Sequence, residues 1–536
     1  MKPLVRTSNT KHKKNSVAAA IACGILLALP GCGIPKLRNP EPAASMPPIF
    51  DLATGDGTTS LENSAQIGPA EFFENPMLVS LIDQALVGNQ NLRILAQNIQ
   101  IANNEVLMRR GAYLPFVTYG TGASLTRYSF FTPQGTDLYQ INPAGTPFPN
   151  PLPDFLVAAN VSWQIDIWRQ LRNARDAAVF RYFGTIEGRN YVVTRLIADI
   201  AENYYQLMAL DKRLQNLDSI IVLQEASLER SKALKLGAQG TELGVQRFTA
   251  EVRKNQSEKL IVKQEIIVTE NRINFLCGRF PQPVERDSTQ FFDLTLHALS
   301  LGVPSQLLQN RPDIREAERK LEAAGLDVRV ARARFYPQFF ITGNVGYEAF
   351  NTKYLFITPE SLIYNVASDL TGPLINKAAI KADYLSANAS QLQALYDYQR
   401  IVLNAFTEVI NRMSMVQNYT KSLEIKRQQL QALEASVDVA SKLFQNARVQ
   451  YIDVLFAQRD LLDARMVFIA TKQEQLSAIV NTYQALGGGL APNIYRLPPV
   501  LGDPVMVPAP EPEPGKGPEL IPAPEPVPLP EPAKKP

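Results

Sequence analysis

The sequence predicts an α+β membrane protein whose strands form part of a barrel shared between copies and whose long coiled-coil helices continue that barrel as a tube. Three observations predict this. The chain opens with an export signal, and no later stretch offers about 18 consecutive apolar residues, so any crossing of a bilayer must use a closed barrel. Pairs of stretches alternate apolar and small polar residues, as a barrel wall between lipid and water requires. Two long proline-free stretches repeat their apolar residues about every 3.5 positions, the coiled-coil period.

The export signal comes first. Lys2, Arg6, Lys11, Lys13 and Lys14 precede an apolar run from Val17 to Leu29. This is the charged and apolar order of a secretory signal, here residues 1–31. The run ends in "LPGC", which resembles a bacterial lipobox and makes Cys32 the lipidated first residue of the mature chain. Gly33, a residue other than Asp, is compatible with passage to the outer membrane. Residues 32–74 then read as an extended, lipid-anchored linker. At the other end, residues 493–536 are a Pro-rich tail that cannot pack a core.

Between these ends the chain repeats. "RRGAYLPFVT" (Arg109–Thr118) echoes "ARARFYPQFFIT" (Ala331–Thr342), and "ALKLGAQGTELGV" (Ala233–Val245) echoes "KLFQNARVQYIDV" (Lys442–Val454). "NFLCGRFP" (Asn274–Pro281) echoes "QALGGGLAP" (Gln484–Pro492). The order is the same in both halves, so the expectation is a duplicated unit: 75–281, then an equatorial linker at 282–303, then 304–492.

Each half begins with a helical stretch, about 76–112 or 304–334. It ends at Pro115 or Pro337, where a helix must stop. Strands are expected near 113–128 and 154–166 in the first half, and near 337–350 and 361–372 in the second. Val157, Ala159, Val161, Trp163 and Ile165 alternate with Ala158, Asn160, Ser162 and Gln164. Phe339, Ile341, Val345 and Tyr347 alternate with Thr342, Asn344, Gly346 and Glu348. Pro373 marks the return to helix. Long hairpins follow, about 168–278 and 374–487. Leu196, Ile200, Tyr204, Leu207, Leu210, Leu217 and Ile221 make one stripe; Val409, Met413, Val416, Leu423, Leu430, Leu433 and Val437 make the other. A helix of about 65 residues would be roughly 100 Å long. Four strands cannot close a barrel, since about eight is the minimum; two copies would supply eight strands and three would supply twelve.

Composition narrows the function. The net charge is +3 over 536 residues, without the basic excess of a nucleic-acid binder. His12 and His297 are the only histidines, and Cys23, Cys32 and Cys277 the only cysteines. That leaves little for a catalytic or metal site. We expect no enzyme, no cofactor and no metal.

The motifs "LLQNRPDIREAERKLEAA" (Leu307–Ala324), "ARARFYPQ" (Ala331–Gln338), "GPLIN" (Gly372–Asn376), "YIDVLFAQRDLLDAR" (Tyr451–Arg465) and "ALGGGL" (Ala485–Leu490) add a family resemblance over about 75–492. The chain resembles the outer-membrane factor family of the TolC type, and within it the NodT-like efflux lipoproteins. Arg311, Pro312 and Asp313 carry the most specific run. The resemblance implies a homotrimer with a twelve-stranded barrel in the outer membrane and a helical periplasmic tunnel. It implies a passive, gated duct for drugs or other toxic compounds. Its partners would be a periplasmic adaptor and an inner-membrane pump, often of the resistance-nodulation-division class. Export of a protein or polysaccharide, or a non-conducting scaffold, are the rival readings.

By that resemblance the two hairpin tips meet the adaptor and form the gate. Asp453 would supply a ring of carboxylates, backed by Phe456, with Phe444, Arg448 and Tyr451 near the constriction. Asp453 has a second reading, as an acid capping the returning helix. Gly237, Gly240, Gly244 and Ala447 would form the adaptor-contact surface, with the glycines permitting tight turning and close approach.

Overall fold

A computed structural model describes residues 34–42, 45–50, 62–138, 145, 148–237, 240–294, 296, 299–373, 375, 377–446 and 448–490. The main elements are α1 (Pro76–Gly88), α2 (Gln90–Gly111), β1 (Phe116–Thr126), β2 (Leu152–Ile165), α3 (Gln170–Leu236) and α4 (Glu242–Leu276). The second half supplies α5 (Pro312–Ala333), β3 (Gln338–Ala349), β4 (Leu362–Thr371), α6 (Ala378–Gln445) and α7 (Tyr451–Ala485). α3 has 67 residues and α6 has 68, about 100 Å each at 1.5 Å per residue.

Both leading helical stretches break once. Asn89 separates α1 from α2: its side chain accepts from the Leu92 N–H and donates to the Leu276 carbonyl at 2.8 Å. In the second half Arg311 is extended (φ −85°, ψ 118°), as the residue before a proline should be. Pro312 then opens α5 at a position where its missing N–H costs nothing.

The four strands form one antiparallel sheet in the order β1-β2-β3-β4. The halves join at β2 and β3, with Val157 opposite Tyr347 and Ile165 opposite Phe339. This register puts the odd-numbered residues of β1, β2 and β3 and the even-numbered residues of β4 on one face. That face carries Val117, Tyr119, Val161, Trp163, Ile341, Val345, Tyr364 and Val366. The opposite, polar face carries Thr118, Asn160, Ser162, Asn344 and Asn365. The three acids of the strands, Asp154, Glu348 and Asp369, also lie on it, and no strand contains Lys or Arg. The apolar face is bare: Tyr119 is 90% exposed and Val366 80%.

The helices repeat the strand order. α2 packs on α3, α3 on α5, and α5 on α6, so each helix continues the strand it adjoins. α4 pairs with α3, α7 pairs with α6, and α7 also packs on α3. The main core lies here, around Tyr204, Tyr205, Leu207, Met208, Ile469, Leu476 and Tyr483.

Two segments without long elements are docked. Phe50, expected in a free linker, is buried and stacks on Phe406 of α6 at 5.5 Å. The Arg38 N–H donates to Asn388 Oδ1 at 3.0 Å. The linker after α4 is a clamp. Arg286 donates to both carboxylate oxygens of Asp211 (2.6 and 2.9 Å) and to Glu270 (2.6 Å). The Lys472 ammonium donates to the Leu294 carbonyl at 2.8 Å, and burial pushes its pKa down from the usual lysine value.

Candidate functional site: the two hairpin tips

The second tip lies between α6 and α7. The Arg448 N–H donates to the Leu443 carbonyl at 3.0 Å, closing the end of α6 in the manner of a Schellman turn. α7 starts after Gln450, so Tyr451, Ile452 and Asp453 are its first three residues. Asp453 Oδ2 accepts from the Gln450 N–H at 3.0 Å. The acid therefore satisfies an orphan donor at the helix start, where the helix dipole also favours negative charge. Asp453 remains solvent-exposed. Phe456 stands three residues on, 42% exposed, with the Arg459 guanidinium 5.2 Å from its ring centre. Phe444 is half-buried in the last turn of α6, and Arg448 is exposed. Ala447 falls outside the described residues.

The first tip solves the same problem differently. Thr241 precedes α4, and its hydroxyl accepts from the Gly244 N–H at 3.2 Å. Gly244 is thus the third residue of its helix, the position Asp453 holds in α7. A threonine before the helix does the capping there, so no acid is needed at the third position. Gln450 replaces Thr241 at the second tip, and Asp453 caps instead. Lys235 and Glu242 form an ion pair across the first turn. Lys235, with the Gln246 amide, holds the Glu242 carboxyl below its usual range.

The glycines of this tip need a correction. None of Gly237, Gly240 and Gly244 takes a positive φ, so the turn does not use their conformational freedom. A Cβ on Gly240 would stand 3.1 Å from the Lys235 nitrogen, whereas Cβ atoms on Gly237 and Gly244 would meet only ordinary contacts. Close approach of backbone is required at Gly240 alone.

At the far ends of the hairpins both halves use one device. Gly278 and Gly487 have φ of +70° and +95°. The Arg279 N–H reaches the Asn274 carbonyl at 3.0 Å, and the Gly488 N–H reaches the Tyr483 carbonyl at 2.9 Å. These are Schellman caps, for which glycine is the natural residue. Gly487 also abuts Asn310, beside the Arg311 motif. Arg311 is 3% exposed. Its guanidinium donates to both oxygens of Asp313 (3.0 and 2.7 Å), to Glu408 (2.9 Å) and to the Ala485 carbonyl (2.8 Å). Pro312 and Asp313 open α5, Pro115 and Pro337 stand immediately before β1 and β3, and Pro373 follows β4. Cys32 lies outside the described residues.

The sheet has two free edges and a bare apolar face, and a layer of helices continues it in the same order. The model of the outer membrane efflux protein family matches residues 81–279 and 303–488. The chain belongs to that family. The two matched segments coincide with the two halves and leave out most of the clamp between them. The chain is 25% identical over 473 residues to the cation efflux system protein CusC of Escherichia coli, covering 87% of this chain and 97% of that one. It is 26% identical over 468 residues to the solvent efflux pump outer membrane protein SrpC of Pseudomonas putida, with coverage of 87% and 97%. Among solved structures it resembles the open state of the Neisseria gonorrhoeae MtrE outer membrane channel, with a TM-score of 0.73 at 22% identity over 85% of this chain and 98% of that one. A CusC structure aligns with a TM-score of 0.70 at 23% identity, over 85% and 99%. The family's fold is that of this chain, and family membership makes the chain an efflux component of the outer membrane.

Sequence reasoning missed Thr241, Arg286 and Lys472. Thr241 carried a usable signal, a capping residue just before a helical pattern. Arg286 and Lys472 carried none.

Proposed function

We propose that three copies of the chain close into one duct: a twelve-stranded barrel in the outer membrane, continued by a helical tunnel into the periplasm. One observation carries this reading. The strand order β1-β2-β3-β4 and the helix order α2-α3-α5-α6 end at the same two edges. A neighbour that pairs β4 with β1 therefore also packs α6 against α2. Ile94, Ile101 and Leu107 on α2, and Leu403 on α6, stand exposed for such a partner. The polar face would then line water and the apolar face would meet lipid. Trp163, Trp168 and Tyr336 sit at the strand ends nearest the helices, as residues of a membrane-boundary belt do.

The duct is passive, and its energy comes from a tripartite system of this channel, a periplasmic adaptor and an inner-membrane pump of the resistance-nodulation-division class. Its cargo is drugs or other toxic compounds; relatives are named for efflux of cations, solvent and toluene. Gly237, Gly240, Gly244 and Ala447 form the adaptor-contact tips. Asp453 and Phe456, with Phe444, Arg448 and Tyr451 nearby, form the gate. The capping role of Asp453 leaves its carboxylate exposed, so cap and gate are compatible. Cys32 anchors the chain through lipid: one residue, Gly33, separates it from Ile34, at most about 7 Å of chain, and Ile34 packs beside Val328, Ala331 and Phe335 near the strand end of α5.

The test is a planar-bilayer recording on purified protein together with its native mass. Discrete channels from a three-chain particle are expected. A two-chain particle, or a three-chain particle that never conducts, would sink the reading.

A further inference from the structure

The polar face of the sheet holds one arrangement that conduction alone does not call for. Thr118 pairs with Asn160, Asn160 with Asn344, and Asn344 with Asn365. A single row of hydrogen-bonding side chains thus crosses all four strands, with neighbouring strands about 4.8 Å apart. Beside this row stands Phe116, opposite Ser162. It is an aromatic residue beside Thr118, Ser162 and Asn160 on that face, and it is 68% exposed. These six residues line a shallow cavity of about 300 Å³, at the small end of the range for ligand pockets. No charged side chain lines it. Among the described residues, none of the three asparagine amides is engaged in a hydrogen bond with another side chain or with backbone beyond the cavity.

We propose that this cavity is a binding subsite for neutral polyhydroxylated solutes, such as a sugar or the sugar part of a glycosylated compound. Each amide offers both a donor and an acceptor, and hydroxyl groups need both. At the strand spacing, hydroxyls of one sugar ring can reach two amides. The apolar face of the ring stacks on Phe116, which supplies the apolar contact that water-solvated amides alone lack. An ion finds no opposite charge in this cavity, and a purely apolar solvent leaves the amides unpaired. Phe116 is the first residue of β1, just past Pro115, so the subsite sits at the helix-side entrance of the barrel. The inference rests on barrel closure, which turns this face inward.

The test uses the purified full chain in a planar bilayer, with maltotriose added to one side and an osmotically matched glycerol solution as control. Maltotriose is expected to reduce the current in a saturable way that glycerol does not reproduce. Phe116→Ala and Asn344→Leu should each raise the half-blocking concentration about tenfold or more, the effect of losing one good contact. Ser124→Ala, on the same face at the other end of β1, should leave it unchanged. Equal block in wild type and both variants, or block that glycerol matches, overturns the subsite. Absence of any channel overturns the closed barrel instead, so the two failures are distinguishable.

Discussion

α3 and α6 occupy matching places in the two halves and have nearly equal length, yet they are buried very differently. Tyr204, Leu207, Met208 and Ile200 of α3 are sealed from solvent. In α6, among the described residues, Tyr384, Ala405 and Val409 are the only buried hydrophobic residues, and Leu403 is 68% exposed. The apolar stripes predict equal burial. The difference comes from position: α3 is flanked by α2 and α5, whereas α6 ends the layer. In the proposed closed duct, this apolar stripe at the open edge would pack against another copy. The hairpin tips teach a similar lesson on a smaller scale, since one position carries Gly244 or Asp453 according to which neighbour caps the helix.

The largest expected effect tests how unequally the halves are fastened. Arg311→Ala leaves Asp313, Glu408 and the Ala485 carbonyl without their cation in a buried site, a loss of about 3–5 kcal/mol, read as a lowered unfolding midpoint. Arg286→Ala breaks a comparable clamp of the linker onto the first half, but the Arg286 side chain is 16% exposed against 3% for Arg311. It should cost less, and an equal or larger loss for Arg286 would contradict this ranking.

Next come the glycines at the hairpin ends, where the halves should behave alike. Gly278→Ala and Gly487→Ala each force a side chain into left-handed backbone, at about 1–2 kcal/mol. Each also meets a carbonyl oxygen, 2.1 Å from the new Cβ at Gly278 and 2.5 Å at Gly487. Similar drops in thermal stability are expected, and tolerance at one site alone would break the equivalence of the two caps.

At the tips the effects are local. Asp453→Ala and Thr241→Ala each remove a cap worth about 1 kcal/mol, visible as faster amide exchange in the first turn of α7 or α4. Asp453→Ala should also enlarge or depolarise the resting aperture, so unchanged conductance and cation response would refute its part in the gate.

Gly244→Ala is the smallest change. Its Cβ fits, and replacing a helical glycine gains about 0.5–1 kcal/mol; a clear destabilisation would point to a contact outside this chain. The first tip should also loosen in acid. The Glu242 carboxyl is held low by Lys235, so its contribution is present above the ordinary glutamate pKa and disappears as pH falls through the lowered folded value. Amide exchange at the first turn of α4 should quicken there in wild type and not in Glu242→Gln.

Much of this was legible in the chain because its causes are local. Proline breaks a helix interior but is accepted in the first turn, so Pro115 and Pro337 located helix ends and Pro312 a helix start. Period two separated the faces of β2 and β3 before any pairing was known. The tip glycines misled because glycine invites a conformational reading, while the actual constraint at Gly240 is crowding by Lys235 and Leu234. Arg286 looked like an ordinary linker charge, since Asp211 is 75 residues away in the chain.

The sequence by itself determined the faces of β2 and β3 and the ends of the helices. These follow from periodicity and backbone stereochemistry within a few residues. Only the tertiary structure decided that β2 pairs with β3, that the helices follow the strand order, and which copy of each repeated element is buried. Those outcomes depend on hydrogen bonds and packing between residues far apart in the chain, and identical local patterns cannot specify which of two copies stands at an edge.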